Sequence, residues 1–381
     1  TTFARSGLQE KAIEVVVEQV QQGVYRNGVF AGNSSNDPSY VMSFSGTGGL
    51  GDEVHGDIYS GGSVKVTGSA SIDGTIRAFQ SVTGKGSSSA ETGKKQPIPD
   101  LSGMNYASIA DVKVASEFST GGAAYKSNSA GGKAWELPES NAAHIFRKNP
   151  SDRTSETGGT TKDDYFLEDP YEPVRGDSKS DGSDAYMVSL AGVGGKPGTN
   201  SNQKVFYIDG NLWIHNYNTM SLKFASQSGG VQVTFVVKGN IYFSDNVYYS
   251  DKNYDGVAFV AMKDSAVTDS GNIYFGDPKF GTLERMYAYL YAENNFLDTN
   301  LSATGSAMVE LYGNMTAGNQ VKINRDYSTT VKGKTVIQHS KLMVDFDERV
   351  SNGGLKMPGL PKNTGTESNE FAVLSWREVG Q

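Results

Sequence analysis

The chain has no cysteine and only 11 prolines in 381 residues. Without cysteine there are no disulfides, no thiolate metal sites and no cysteine nucleophile, although the compartment stays open. Long apolar runs are missing too. Nothing approaches the roughly 18–20 apolar residues of a bilayer span, and no basic stretch leads into an apolar one at the start. The sequence as it stands is expected to be soluble, with membrane contact only through an upstream segment. Positive charge is in short supply: 34 Lys and Arg face 42 Asp and Glu, a net charge of -8. Coating a phosphate backbone needs a basic surface, so nucleic acid is not an expected partner. The four histidines, His55, His144, His215 and His339, lack HExxH spacing, and no GxSxG elbow occurs, so neither zinc nor serine-hydrolase chemistry is expected.

Glycine (46), tyrosine (20) and phenylalanine (17) are abundant, a mix that suits short strands and tight turns. A degenerate repeat organises them. A glycine, an Asn or Asp and a large apolar residue open a segment at Gly56-Asp57-Ile58, Gly210-Asn211-Leu212, Gly239-Asn240-Ile241, Gly271-Asn272-Ile273 and Gly313-Asn314-Met315. The last four starts lie 29, 32 and 42 residues apart, a spacing suited to stacked coils with variable loops on one face. Gly and Asn tolerate left-handed backbone at a corner, and the residues that follow alternate inward and outward. In the shorter coils after Gly56, the inward positions are expected to be Ile58, Val64, Val66, Ile72 and Ile76.

The start reads differently. From Arg5 to Val24 the apolar residues Leu8, Ala12, Ile13, Val16, Val17, Val20 and Val24 recur at helical spacing, which predicts an amphipathic helix. The end returns to strand pattern at Thr335 to Gln338, Lys341 to Phe346 and Phe371 to Trp376.

Several local motifs compete for a functional role. Asp251-Lys252-Asn253-Tyr254-Asp255-Gly256 matches the opening of a calcium loop, with Asp251, Asn253 and Asp255 as candidate ligands and calcium as the one candidate cofactor. Met262 stands where an EF-hand carries its bidentate Glu, so that motif is excluded; Asp245 or Asp264 would have to complete the shell, and an Asx-rich hairpin turn is the competing reading. Asp163, Asp164, Glu168 and Asp169 beside Tyr165 and Phe166 suit either a solvated loop or a sugar-cleaving groove with paired carboxylates. Tyr242, Phe243, Tyr248, Tyr249, Tyr274 and Phe275 suit either intercoil packing or a stacked ladder for surface glycans. Gly46, Gly48 and Gly51 spell GxGxxG, but a strand rather than a helix is expected to follow, and GVGGKPG at Gly192 to Gly198 reads as a turn.

Three segments carry a family resemblance: GNIYF from Gly239, LYAENNF from Leu290 and YGNMTAGNQVKI from Tyr312, together with the terminal VLSWREV from Val373. The stretch 204–326 resembles the solenoid part of PilX-like type IV pilus assembly proteins and large minor pilins of the ComZ kind. The resemblance implies a mainly β fold, a β-helix-like solenoid with an N-terminal pilin-like α-helix and long loop insertions. The expected division is an N-terminal helix and first strand (1–45), first coils (46–80), a Gly/Ser/Asp-rich insertion (81–202), the main solenoid (203–346) and closing strands (347–381). It further implies a non-enzymatic, extracytoplasmic protein on the cell surface or pilus, periplasmic before assembly. Such a protein meets pilin subunits through the N-terminal helix and serves assembly or adhesion. The alternative is a secreted parallel β-helix carbohydrate-active enzyme.

Overall fold

Most of the apolar residues fall on strands, and most of those strands pair in parallel. The computed structural model describes residues 2–6, 9–19, 23–114, 134–136, 146–148, 162–167, 186–189, 203–214, 221–224, 229–275, 283–298, 308–361 and 371–379, and the protein is mainly β. A wide sheet of 17 strands and a narrow sheet of seven share the work. From Gln203 to Ile323 each turn gives a strand to both sheets: Gln203–Ile208 and Asn211–Ile214, then Gln232–Lys238 and Ile241–Phe243, Gly256–Met262 and Ile273–Phe275, Arg285–Ala292 and Phe296–Asp298, Val309–Ala317 and Val321–Ile323.

Register is kept from turn to turn. Phe206, Phe235 and Phe259 are successive neighbours in the wide sheet, and Leu212, Ile241, Ile273, Phe296 and Val321 in the narrow one. Both files point between the sheets and are buried there. Ile58, Val64, Val66 and Ile76 join the same core, with Ile72 packed at its edge, as the alternation predicts.

The wide sheet is buried on its other face as well. Val236, Ala258, Val260, Tyr289 and Tyr291 form a second cluster with Leu101, Tyr106, Leu355, Met357 and Leu360. Two covering segments supply those side chains. One runs from Gln96, whose amide donates to the Tyr59 hydroxyl, past Pro99, whose carbonyl accepts from Tyr291, to Asp111, whose amide donates to the Val205 carbonyl. The other leaves Asp347 at Gly313 and reaches Pro358, whose carbonyl accepts from Thr234 Oγ1. A parallel sheet covered on both sides reads as a continuous apolar run, and this accounts for strands such as VAFVAM.

The stacking order is not the chain order. The strand Val309–Ala317 has two neighbours on the same side: its first half pairs in parallel with Leu342–Phe346, and its second half with Val29–Ala31. The next row, Glu53–His55 and Ile58–Ser60, pairs with both of these in turn. One row of the wide sheet is therefore assembled from a late strand and an early strand placed end to end. Beyond it lie Ser71–Ile72, Ile76–Ala78 and Glu91–Thr92.

The expected helix from Arg5 to Val24 is corrected. Thr2–Ser6 and Gln9–Gln19 are antiparallel strands, and Gln9–Gln19 pairs antiparallel with Phe371–Val379, which contains the terminal VLSWREV. Val24–Arg26 is a single 3-10 turn, and residues 20–22 lie outside the described residues. The physical reason is composition. Ile13, Val15, Val16 and Val17 are β-branched and stiff at χ1, and three consecutive valines satisfy strand and helix spacing alike. A nine-residue partner strand then decides between them.

Candidate functional site

The corner where each turn enters the narrow sheet carries the most ordered polar array. Asn211 Oδ1 accepts from the Asn240 amide at 3.0 Å, Asn240 Oδ1 from the Asn272 amide at 3.0 Å, and Asn272 Oδ1 from the Asn295 amide at 3.1 Å. Asn295 Oδ1 then accepts from Asn319 Nδ2 at 3.0 Å, and Asn319 Oδ1 from Ser35 Oγ at 2.8 Å. Asn211, Asn240 and Asn272 each satisfy a corner amide of the next turn, which buried backbone requires, whereas Asn295 accepts from a side chain and Asn319 from the Ser35 amide and hydroxyl.

The glycines before these asparagines serve close approach more than left-handed backbone. A Cβ on Gly239 would lie 2.4 Å from the Gly210 carbonyl oxygen, and only Gly271, at φ 77, is left-handed. The five sequence copies also divide between two places. Gly210, Gly239 and Gly271 precede narrow-sheet strands, whereas Gly56 and Gly313, at φ 153 and 148, sit in the wide sheet beside Phe346. In the turns where the motif is degenerate, Asn295 and Asn319 take over the corner.

Outside the narrow sheet runs an aromatic ladder. Phe166 and Trp213 stack at 5.6 Å, Trp213 and Tyr242 at 4.0 Å, and Tyr242 and Tyr274 at 4.8 Å, with interplanar angles of 8 to 11°. Asp164 Oδ1 fixes the lower end by accepting from Trp213 Nε1 and Asn211 Nδ2. Tyr242 has both ring faces filled, by Trp213 and Tyr274, whereas Tyr274 ends the ladder with Leu297 as its next neighbour in the sheet. Burial and the nearby Asp269 carboxylate push the Tyr274 hydroxyl up to about 12. Phe243 and Phe275 point into the core; Tyr248 and Tyr249 are buried in the wide sheet, where Arg349 donates to the Tyr249 hydroxyl. The six aromatics weighed as one ladder therefore split, and two of them belong to it.

The loop of Asp251, Asn253 and Asp255 joins Asn246–Tyr249 to Gly256–Met262 within one row. Asp255 is buried, with Oδ1 accepting from the Val231 amide at 2.8 Å and Oδ2 from the Asp251 amide at 2.7 Å. Asp251 Oδ1 accepts from the Asn253 amide at 2.8 Å. These oxygens are engaged in holding the turn. Asp264 is turned to Lys162 and Lys238 instead, and burial against it is outweighed by Lys162, which holds its carboxyl below the usual range. Among the described residues, no group of three His, Asp or Glu is placed to hold a metal ion.

The remaining candidates are dispersed. Gly46 and Gly51 face each other in a small hairpin whose tip, Gly48 and Gly49, has φ of 62 and 86, and the strand Glu53–His55 follows. Asp164 holds Trp213 and Asn211 rather than a second carboxylate, while Glu168, Asp169, His144, His215 and the Gly192 to Gly198 segment lie outside the described residues. His55 sits among Asp73, Glu53 and Asp345, and the Asp73 hydrogen bond raises its pKa above the ordinary 6.5. Sequence reasoning missed the asparagine file as a hydrogen-bonded unit; the Asn294-Asn295-Phe296 run, at a repeat-like distance from Asn272, was its available signal.

No protein-family model matches the chain, and no curated protein matches it. Among solved structures, the chain is similar to the competence-associated pilin ComZ from Thermus thermophilus, at 12% identity and a TM-score of 0.37, over 99% of this chain and 80% of that one. No helix among the described residues is long and apolar enough to cross a membrane.

Proposed function

We propose that the chain is a non-enzymatic, minor-pilin-like protein of a type IV pilus system, and that its parallel sheets form a β-solenoid displayed outside the cytoplasm for assembly or adhesion. One observation carries the reading. The segments that resemble PilX-like proteins, GNIYF, LYAENNF and YGNMTAGNQVKI, fall on turns of a single in-register stack, in strands Ile241–Phe243, Arg285–Ala292 with Phe296–Asp298, and Val309–Ala317 with Val321–Ile323. They are stacked on one another rather than scattered, with Ile273–Phe275 between the first two.

Pilin subunits are the proposed partners, engaged through the N-terminal region. The expected contact was a helix, and the strand Gln9–Gln19 now occupies that part of the chain. Stacked turns that contact only their neighbours create an extended surface, which suits display. Mass spectrometry of the native protein in sheared surface filaments, inner membrane and culture supernatant tests the reading. Enrichment with filaments supports it; recovery only as free protein in the supernatant overturns it.

A further inference from the structure

The composite row is closed by a buried charged cluster that the display function does not use. His339 ends the exposed hairpin strand Lys334–His339, and its side chain is fully buried. Its Nε2 lies 2.9 Å from Asp52 Oδ1, 287 residues away in sequence, and its Nδ1 lies 2.8 Å from Asp326 Oδ1 at the foot of the partner hairpin strand. Asp52 is buried and also accepts from the amides of Ser45 and Leu342. Behind this group, Arg325 donates to Asp298 Oδ1 at 2.6 Å and to the Ser340 carbonyl at 2.9 Å. The charged groups facing His339 are therefore Asp52 and Asp326 in contact, with the Arg325–Asp298 pair beyond them.

A neutral imidazole has one N–H and one lone pair. Here both ring nitrogens face carboxylate oxygens, so a neutral ring would point its lone pair at a carboxylate and leave three acidic groups around one guanidinium. Only the imidazolium donates on both sides. We propose that protonated His339 is the clasp that fastens the early turns of the chain to the late ones, and that its loss of a proton at alkaline pH loosens this seam and the Asp326–Val331/Lys334–His339 hairpin together.

Burial alone would lower the His339 pKa, but the hydrogen bonds to Asp52 and Asp326 outweigh it and raise the value above the ordinary 6.5. A raised folded value means that the stabilisation is complete below the unfolded-state pKa and is lost as pH climbs through the folded one. Within the same cluster, burial raises the pKa of Asp298 against the pull of Arg325, so its contribution is also lost as pH rises, in the same direction as that of His339.

The test is NMR of the full chain labelled at histidine Cε1, combined with amide exchange corrected for intrinsic rate. His339 is expected to titrate above 6.5, and protection of residues 326–339 and of Val29–Ala31 is expected to fall several-fold across the same pH interval. His339→Gln should abolish that pH dependence. Asp326→Asn, at a half-exposed position that leaves the core alone, should move the His339 midpoint down and the protection change with it. A His339 already neutral at pH 6, or one that titrates while protection stays constant, overturns the proposal.

Discussion

The turns from Gln203 to Ile323 and the seam at Val29–Ala31 are held together by different means. Within the contiguous turns, like residues stack on like: Phe206 on Phe235 at 5.0 Å, Phe235 on Phe259 at 5.2 Å, and asparagine on asparagine at the corner. At the seam the backbone pairing of the wide sheet continues through Met315–Ala317 and Val29–Ala31, and polar side chains add bridges beside it. The Tyr40 hydroxyl donates to the Val321 carbonyl at 2.8 Å and accepts from the Val321 amide at 2.9 Å, standing in for a strand pairing. Asp52 and His339, and Ser35 and Asn319, bridge the same junction. A repeat can propagate itself by self-complementarity, whereas a junction between distant parts of the chain has to be built from specific polar contacts.

Substitutions should separate the two regions by size of effect and by its reach. Phe235→Ala removes the middle ring of the phenylalanine file and leaves a cavity between buried neighbours, so unfolding free energy should fall by about 3–5 kcal/mol in denaturant titration. The loss should be felt by the whole stack. Tyr40→Phe leaves a buried carbonyl and amide without their partner, at a cost of roughly 1–3 kcal/mol. Amide exchange should place that loss in Val29–Ala31 and Val41–Phe44 first, while Gln232–Lys238 keeps its protection. If exchange rises uniformly instead, the seam is no weaker than the turns.

The smallest expected effect lies in the Asp251 to Asp255 loop. Asp255→Asn keeps the shape but turns one of the two accepting oxygens into an NH2 that faces a backbone N–H, so one amide contact is lost, at a cost of about 1 kcal/mol, the same with calcium as with a chelator. A calcium-dependent rise in wild-type Tm that Asp251→Ala removes would support the metal reading of this loop.

What could be read from the sequence follows the same division. The inward positions Ile58, Val64, Val66 and Ile76 were legible because alternation needs only neighbours along the chain. The Gly-Asn motif marked three true corners, but Gly56 and Gly313 share the motif for another reason, close contact with Phe346 or the Ala288 backbone in the wide sheet. The N-terminal helix failed at Val15, Val16 and Val17, whose identity fits two periods and whose conformation is set by Phe371–Val379, far away in sequence. In the candidate site, Tyr242 and Tyr274 were picked out, but Phe166, Trp213 and Asp164 were not joined to them, since loops of unequal length separate one turn from the next. The Asp52–His339 contact had no local signature at all.

The stacking of early turns on late ones can be tested directly because the chain has no cysteine of its own. Ser35 and Asn319 are 284 residues apart, yet their side chains meet at 2.8 Å on the exposed side of the seam. In a variant carrying Ser35→Cys and Asn319→Cys, mild oxidation should give an intramolecular disulfide in monomeric protein, seen as faster migration on a non-reducing gel and as a cross-linked peptide pair in mass spectrometry. Free thiols after oxidation, or disulfides only between molecules, would contradict the stacking of Val29–Ala31 on Val309–Ala317.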